Sequence, residues 1–450
     1  MTKYSPMFFD ATKNTRSQII KMNIIVGGGV RGLNILTSLL LIPLTINYIS
    51  SELYGVWLTL SSVIQWISFF DVGFGNGLRN KLGEAIALKK YKLGKIYVSS
   101  TYFTLTAIFV PICILCYFFA PYLDWADFIN LDKQYNPILI STARVILLSF
   151  SFQMIFKLIQ NVALAFQQSA FSSFIDTMGQ LTSLIFIYIL TITIEPNLTY
   201  VALVFCFSPL VVYIVASAIC YSTIYKKVTP NVRYVHFRAI KLIFSLGGEF
   251  FIIQIAALVL FQMINILISR LSGPEQVTNY NIAYKYLSTS LMIFNIIMAP
   301  MWSAFTDAYV KKDIVWMTRI YKRFIQLFLL SSILILFCVI ISPWVYSIWI
   351  GDKVSIPLWL TITVGIYMCE FIWCQIHATI INGTGKIRFQ LYTAVAMMLL
   401  FLPLAIALGH IFGVYGILFA MILINFPGVF YGRYQVKRLI NFKAKGIFNQ

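Results

Sequence analysis

Charged side chains are scarce in this sequence of 450 residues. Only 11% are Asp, Glu, Lys or Arg, whereas soluble domains carry about 25%. The acidic residues number 15, and there are three histidines. Hydrophobic residues reach 60% and the mean hydropathy is +0.83. This composition excludes an ordinary water-soluble domain and indicates a protein that lies in a membrane.

Segments of alternating polar and apolar residues, which a membrane β-barrel needs, are also missing. The apolar runs are continuous and about 20 residues long, the length of a helix that crosses the hydrocarbon core. The sequence therefore predicts an all-α polytopic membrane protein with about 12 transmembrane helices. The predicted spans are 23–48, 54–76, 96–120, 138–165, 172–194, 198–222, 242–268, 278–304, 324–350, 357–381, 391–410 and 413–434.

No predicted connection is long enough for a soluble domain. The longest break is the basic stretch 226–241, which we interpret as a cytoplasmic linker between two lobes of six helices, 23–225 and 242–434. Residues 1–22 and 435–450 are predicted to be cytoplasmic tails. An even number of helices in each lobe predicts a parallel, pseudo-symmetric repeat, with a cleft between the lobes that suits alternating access.

The basic residues are distributed unevenly between the predicted connections. Segments on one side hold 27 of the 34 Lys and Arg residues, whereas the other side holds three, Lys133, Arg270 and Lys353. Because positive residues accumulate on the cytoplasmic side, both termini are predicted to be cytoplasmic. The net charge of +19 then reflects topology and attraction to the anionic bilayer surface. A nucleic-acid partner is not expected.

Motifs of soluble enzymes are absent. The glycines of 27–32 match GxGxxG, but no strand precedes them, and the sequence contains no Walker lysine loop, HExxH or nucleophile elbow. The seven cysteines include Cys113 and Cys116, whose CxxC spacing in an apolar helix we interpret as packing. We predict no metal site, no disulfide and no bound cofactor.

Eight charged residues are predicted within the spans or at their margins. Each costs about 2.5–3.5 kcal/mol at a helix centre, so these residues should face a cavity or one another. Four are basic and four are acidic, and structural ion pairs are therefore an alternative to a functional role. They are Arg31, Asp71, Arg144, Lys157, Asp176, Glu249, Lys285 and Glu370.

The basic residues are candidate ligands for an anionic substrate. Arg31 shares a helix face with Asn34 and lies at a depth similar to that of Glu249. The two could form a permanent ion pair, or a switchable pair in which the arginine receives the substrate anion. Lys285 begins a similar face with Ser288 and Asn295, and it could bind phosphate or extend to the outer surface.

Two further basic residues, Lys157 and Arg144, fit cavity lining and packing equally well. Among the acidic residues, Asp176 and Glu370 could be protonation sites for ion-coupled movement, or could bridge neighbouring helices. Glu249 is a candidate for gating. For Asp71, structural anchoring near Arg79 is favoured over ion coupling.

Three motifs resemble those of the Wzx-type flippases, a family that moves lipid-linked O-antigen repeat units. They are Tyr54-Gly-Val-Trp57, Asp71-Val-Gly-Phe-Gly-Asn-Gly-Leu-Arg79-Asn and Ile381-Asn-Gly-Thr-Gly-Lys-Ile-Arg388. The resemblance also extends over nearly the full length in helix number and polarity. This family shares its fold with multidrug exporters.

The resemblance implies a flippase of the bacterial inner membrane. Its substrate would be undecaprenyl-pyrophosphate carrying a short oligosaccharide, moved from the cytoplasmic to the periplasmic leaflet with H⁺ or Na⁺ as a candidate coupling ion. Family cavities are formed largely by helices one, two, seven and eight, and Arg31 and Lys285 fall on matching helices. The polymerase and the chain-length regulator of the same pathway are the expected protein partners.

Two alternatives remain at this point. One is a multidrug or small-solute antiporter of the same fold, which the four acidic residues would suit. The other is a membrane polymerase or ligase of the polysaccharide pathway. Such an enzyme typically needs a sizeable outer loop with catalytic groups, whereas the longest predicted outer loop here, 121–137, is short and has no His or Arg.

Overall fold

The computed structural model describes residues 16–49, 57, 72–125, 133, 136–349 and 356–449. Within these ranges the chain is helical and has no strands, which confirms the predicted all-α class. The helices are α1 (Arg16–Ile49), α2 (Val72–Ala87), α3 (Tyr91–Phe119), α4 (Asn136–Phe156), α5 (Leu158–Ala165), α6 (Ser169–Thr193), α7 (Leu198–Ser222), α8 (Phe237–Ser272), α9 (Pro274–Met298), α10 (Met301–Val310), α11 (Ile314–Trp349), α12 (Leu358–Thr384), α13 (Arg388–Phe412) and α14 (Val414–Ile440).

Most of these helices are long and apolar enough to cross a membrane. In the described part of the chain nine qualify, or ten when one bent pair is taken as a single span. The predicted polytopic membrane class is thereby confirmed. Most of the predicted span 54–76 lies outside the described residues, so the total of about 12 helices remains a prediction, as does the side on which the termini lie. The longest helices, α8 and α11, have 36 residues each.

Two predicted spans are not single straight helices. The span 138–165 is interrupted at Lys157, which separates α4 from α5; the N–H of Gln160 donates to the Lys157 carbonyl at 2.9 Å, a tighter turn than that of an α-helix. The span 278–304 is bent by 40° between Asn279–Leu291 and Phe294–Val310. A turn at Pro300, which has no N–H to donate, then separates α9 from α10.

The chain divides into two compact units, Met1–Phe251 and Ile252–Gln450. The division falls within α8 and not in the basic stretch, because α8 begins at Phe237 and its first residues pack with the first unit. Each unit has its own apolar core. Fully buried residues include Leu82, Val98, Leu158, Ile159 and Val162 in the first unit, and Val364, Ile372, Ile380, Phe401 and Ile417 in the second.

Corresponding helices in the two units end in the same way. After α2 and after α10, a lysine adopts positive φ: 57° at Lys89 and 55° at Lys312. In both turns the next residue donates its N–H to the carbonyl five positions earlier, at 2.8 Å for Lys90 and 3.0 Å for Asp313. This is the hydrogen-bond pattern of a Schellman helix end. The same helix end also follows α5 at Gln167 and α14 at Phe442, so it recurs in both units.

Two glycines, Gly77 and Gly383, are sites of close helix packing. A Cβ on Gly77 in α2 would lie 2.8 Å from the carbonyl oxygen of Ile243 in α8. A Cβ on Gly383 in α12 would lie 2.8 Å from the carbonyl oxygen of Trp302 in α10. Real Cβ atoms do not approach so closely, so each position requires glycine. The two glycines therefore shape the backbone of both units.

Candidate functional site

A row of polar side chains runs along α9 in the second unit. Lys285 and Asn295 are exposed and Ser288 is half-buried; Asn281, also exposed, belongs to the same face. The opposite face of α9 is apolar and buried, and it includes Ala283, Leu287, Leu291 and Phe294. An exposed polar row on a membrane helix faces water or a polar ligand rather than lipid.

The neighbouring helices hold this row, which we call the α9 stripe, in place. The Asn281 side chain donates to the side-chain oxygen of Asn265 in α8 at 3.1 Å. The Tyr286 hydroxyl donates to the carbonyl oxygen of Cys338 in α11 at 2.9 Å. Lys285 itself has no hydrogen-bond or ion-pair partner for its ammonium group among the described residues. The stripe therefore presents an available positive charge on a fixed helix.

Asn281 and Asn265 were missed by the reasoning from sequence. Asn281 precedes Lys285 by one helical turn, and this spacing could have extended the predicted stripe. Asn265 could not have been found in this way, because it lies on another helix and only the fold brings the two amides together.

Arg31 and Asn34 are half-buried on α1 in the first unit. The buried face of α1 packs on α6: the Asn23 side chain accepts a hydrogen bond from the Ala170 N–H at 2.9 Å and donates to the Gln167 carbonyl at 2.8 Å. Within the described ranges, the Arg31 guanidinium has no ion-pair or hydrogen-bond partner.

Glu249, in α8, is half-buried. Because the Arg31 guanidinium has no such partner among the described residues, the structure shows no ion pair between Arg31 and Glu249. The functional roles of both residues remain predictions.

Two other predicted residues of the first unit have partners of their own. Asp176 is exposed on α6, and its carboxylate accepts a hydrogen bond from the Tyr213 hydroxyl of α7 at 2.9 Å. The Arg144 guanidinium lies over the Tyr117 ring of α3, 4.9 Å from its centroid. Both contacts join neighbouring helices. They favour a structural contribution from Asp176 and Arg144 without excluding a second role.

The remaining predicted residues of this unit give less information. Lys157 is half-buried at the break between α4 and α5 and has an interaction partner. Asp71 lies outside the described residues. Its expected neighbour Arg79 is buried in α2, and this burial lowers the pKa of the guanidinium.

A cavity of about 180 Å³ lies within the second unit, between α8, α12, α13 and α14. We call it the second-unit cavity. Its walls are mixed: Ile253, Ala256 and Met421 are apolar, whereas several amides and hydroxyls are polar. The polar lining includes Gln375, Gln390, Thr393, Asn425 and Tyr431.

Glu370 lies one helical turn before Cys374, which lines this cavity. Both carboxyl oxygens of Glu370 are buried, and neither has a hydrogen-bond partner among the described residues. An ionised carboxylate in this position would lack both water and a counter-charge, which is unfavourable. Glu370 is therefore suited to binding a proton or a cation, either of which would remove this unfavourable charge.

His377, two turns further along α12, is a buried core residue. Its Nε2 lies 3.0 Å from the Tyr321 hydroxyl, and its Nδ1 lies 2.7 Å from the Trp373 carbonyl oxygen. Both ring nitrogens are therefore satisfied by the protein. In the ranges that the structure describes, no group of three or more His, Cys, Asp or Glu residues could hold a metal ion.

The chain has relatives among known proteins. The profile of the family described as polysaccharide biosynthesis protein matches residues 20–305. A protein of Yersinia pseudotuberculosis that is named for O-antigen export is 22% identical over 375 residues, which cover 80% of this chain and 82% of that protein. A Salmonella typhimurium protein that is named for O-antigen transport is 22% identical over 418 residues, covering 86% and 89%.

The fold also has relatives among solved structures. An outward-facing multidrug resistance MATE family transporter of the MOP superfamily superimposes with a TM-score of 0.75. The match covers 97% of this chain and all of that one, at 14% sequence identity. At this identity the match shows the fold alone.

Proposed function

Because this chain belongs to the polysaccharide biosynthesis protein family, we propose that it flips a lipid-linked oligosaccharide across the bacterial inner membrane. The proposed substrate is undecaprenyl-pyrophosphate carrying an O-antigen repeat unit, moved from the cytoplasmic to the periplasmic leaflet. The transporter class and the resemblance to Wzx-type flippases are confirmed by the family and by relatives named for O-antigen export and transport. The substrate, the direction and the particular membrane are parts of the proposal.

The α9 stripe is the observation that carries this proposal. A pyrophosphate with sugars attached cannot enter hydrocarbon without losing its hydration. The stripe offers hydroxyl and amide groups to the sugars at Ser288, Asn281 and Asn295, and an unpaired ammonium group to the pyrophosphate at Lys285. The polyprenyl tail would stay in the lipid while the head group follows this polar surface.

Arg31 is the second proposed cationic ligand. It is half-buried and has no partner of its own in the described part of the chain. A guanidinium binds phosphate oxygens in a bidentate manner, whereas an ammonium acts as a point charge. We propose that alternating inward and outward opening presents the head group to these two cations in turn.

Glu370 is the proposed site of ion coupling. Its unpartnered, buried carboxyl group can take up a proton or a Na⁺ ion and lose its charge penalty. Tyr367 and Cys374 adjoin it on α12, and Tyr280 and Tyr284 approach Tyr367 from α9. Tyr280 and Tyr284 belong to α9, the helix that carries the stripe, and we propose that ion binding at Glu370 is coupled to movement of the substrate through this helix.

The proposal is tested by the variants Lys285→Ala and Arg31→Ala in cells that lack the native gene. We expect each variant, at matched membrane levels, to reduce surface O-antigen strongly, because it removes a phosphate ligand. Arg270→Ala is the matched control, since Arg270 is an exposed cation at the end of α8. Full complementation by both variants would exclude these residues as substrate ligands.

A drug-susceptibility assay separates the antiporter alternative from the flippase. We expect deletion of the gene to abolish surface polysaccharide and to leave susceptibility to cationic drugs unchanged. Increased drug sensitivity with normal surface polysaccharide would overturn the flippase proposal.

A further inference from the structure

The linker between α7 and α8, residues 223–236, is attached to α3 by hydrogen bonds from its backbone N–H groups to serine side chains. The N–H of Asn231 donates to the hydroxyl of Ser99 at 3.0 Å, and the N–H of His236 donates to that of Ser100 at 3.1 Å. Both serines are buried. These bonds fix the backbone on either side of a short 3₁₀ turn, Val232–Tyr234.

Two cation–π contacts join the same segments. The ammonium group of Lys95 lies 4.6 Å from the centroid of the Tyr234 ring, and that of Lys227 lies 4.7 Å from the Tyr91 ring. One lysine comes from α3 and the other from the linker, so the contacts run in both directions. These contacts hold the linker, which leads directly into α8, against the first turns of α3.

A groove of about 520 Å³ lies between these two helix starts, entirely within the first unit. Most of its lining is apolar. Among the described residues that line it, the polar or charged groups are the Tyr97 hydroxyl and the side chains of His236 and Arg238. The apolar residues that line it include Leu93, Ile96, Phe237 and Leu242.

The surroundings of the groove have the character of a membrane interface. Phe237 is 83% exposed and Val232 is 80% exposed, although both lie among basic residues. A large exposed aromatic side chain beside cations is typical of the headgroup region of a bilayer, where the ring enters the lipid and the charge meets phosphate. The side chains around the groove therefore suit the headgroup region of a bilayer.

The positive charge at the groove is not neutralised by the protein. Among the described residues, Arg238 and Lys241 have no ion-pair partner. The nearby carboxylate of Glu84 is already paired with Lys81 at 3.0 Å. None of the lining residues carries a carboxylate or an amide that would bind sugar hydroxyls. The groove thus suits a ligand with a small anionic head and an apolar chain.

We propose that this groove binds one acidic phospholipid of the surrounding membrane. Its phosphate contacts Arg238 and His236, and one acyl chain lies against Leu93, Ile96 and Leu242. The bound lipid stabilises the junction of α3, the linker and α8. The groove shares no residue with the α9 stripe, so the inference does not depend on the proposed substrate.

The test uses the purified full-length chain in detergent, titrated with phosphatidylglycerol and observed by native mass spectrometry. We expect one phosphatidylglycerol to be retained in preference to phosphatidylcholine. Arg238→Ala should weaken this binding about fivefold, the effect of one basic residue at an anionic surface, while Arg238→Lys should bind nearly as well as the wild type. Arg323→Ala, which removes an exposed arginine from α11, is the matched control and should bind normally.

Arg238 is exposed, so its variants are expected to fold, and a thermal unfolding measurement checks this. Equal retention of phosphatidylcholine would overturn the proposal, as would normal phosphatidylglycerol binding by Arg238→Ala. Displacement of phosphatidylglycerol by an equimolar polyprenyl diphosphate would also overturn it, because the groove would then be a substrate site.

Discussion

The two units share a backbone plan but differ in how they treat their acidic groups. In the first unit, Asp176 is exposed and accepts a hydrogen bond from Tyr213. In the second, both oxygens of Glu370 are buried beside a cavity and have no partner in the described part of the chain. Both residues lie in apolar helices, so the sequence does not distinguish them. Of the two, only Glu370 has a buried carboxyl group without a partner, whose negative charge a bound ion would compensate.

Two basic residues show a similar contrast, which does not extend to every cation, since Arg31 in the first unit also has no partner among the described residues. Arg144 in the first unit is stacked on Tyr117, whereas Lys285 in the second is exposed and has no partner among the residues that the structure describes. Unsatisfied polar groups nevertheless occur in both units, and the buried Nε of Arg144 itself has no hydrogen-bond partner among the described residues.

The largest expected effect concerns the close helix contacts that both units share. Gly77→Ala and Gly383→Ala each place a Cβ 2.8 Å from a backbone oxygen, and we expect each to destabilise the fold by about 1–3 kcal/mol. Gly32→Ala is the control, because no atom lies within 4 Å of its Cβ position. The measurement is the unfolding temperature of purified protein. A loss confined to one unit would show that the two contacts are not equivalent.

A smaller effect is expected from neutralising the two acids. Glu370→Gln should remove most of the dependence of transport on an imposed H⁺ or Na⁺ gradient, because the amide cannot exchange charge. Asp176→Asn should leave that dependence intact and cost less than about 1 kcal/mol of stability, because the amide oxygen can still accept the hydrogen bond from Tyr213. Flipping of a fluorescent lipid-linked oligosaccharide in proteoliposomes is the assay. Equal loss of gradient dependence in both variants would remove the distinction between the units.

The smallest effect is expected at the stacked arginine. Tyr117→Leu should reduce stability by about 0.5–1 kcal/mol, the value of one cation–π contact, and should leave surface O-antigen unchanged. Thermal unfolding and surface polysaccharide are measured on the same variant. A variant of normal stability that lost polysaccharide would instead place Arg144 in the substrate path.

The helices could be predicted because a bilayer demands about 20 apolar residues per span, and this demand is visible along the sequence. The break at Lys157 could not, because the apolar character continues on both sides of it. The partners of Asp176 and Arg144 were likewise hidden, since Tyr213 and Tyr117 lie on other helices.

The polar face of α9 was predictable from spacing alone, since residues on one helix share a face at fixed intervals. The burial of the Glu370 carboxyl oxygens was not, because it depends on how other helices pack against α12. Sequence periodicity thus identified candidate residues. Only the packed structure distinguishes those that are satisfied from those that are not.

The length of α11 bears on how the protein responds to bilayer thickness. A helix of 36 residues is about 54 Å long at 1.5 Å per residue, whereas the hydrocarbon core is about 30 Å thick. The excess can be accommodated by tilting or by projection into water. The helices α6 and α7 have 25 residues each, so they extend much less beyond the hydrocarbon core. Hydrophobic mismatch in membranes of longer-chain lipids should therefore strain the shorter helices first.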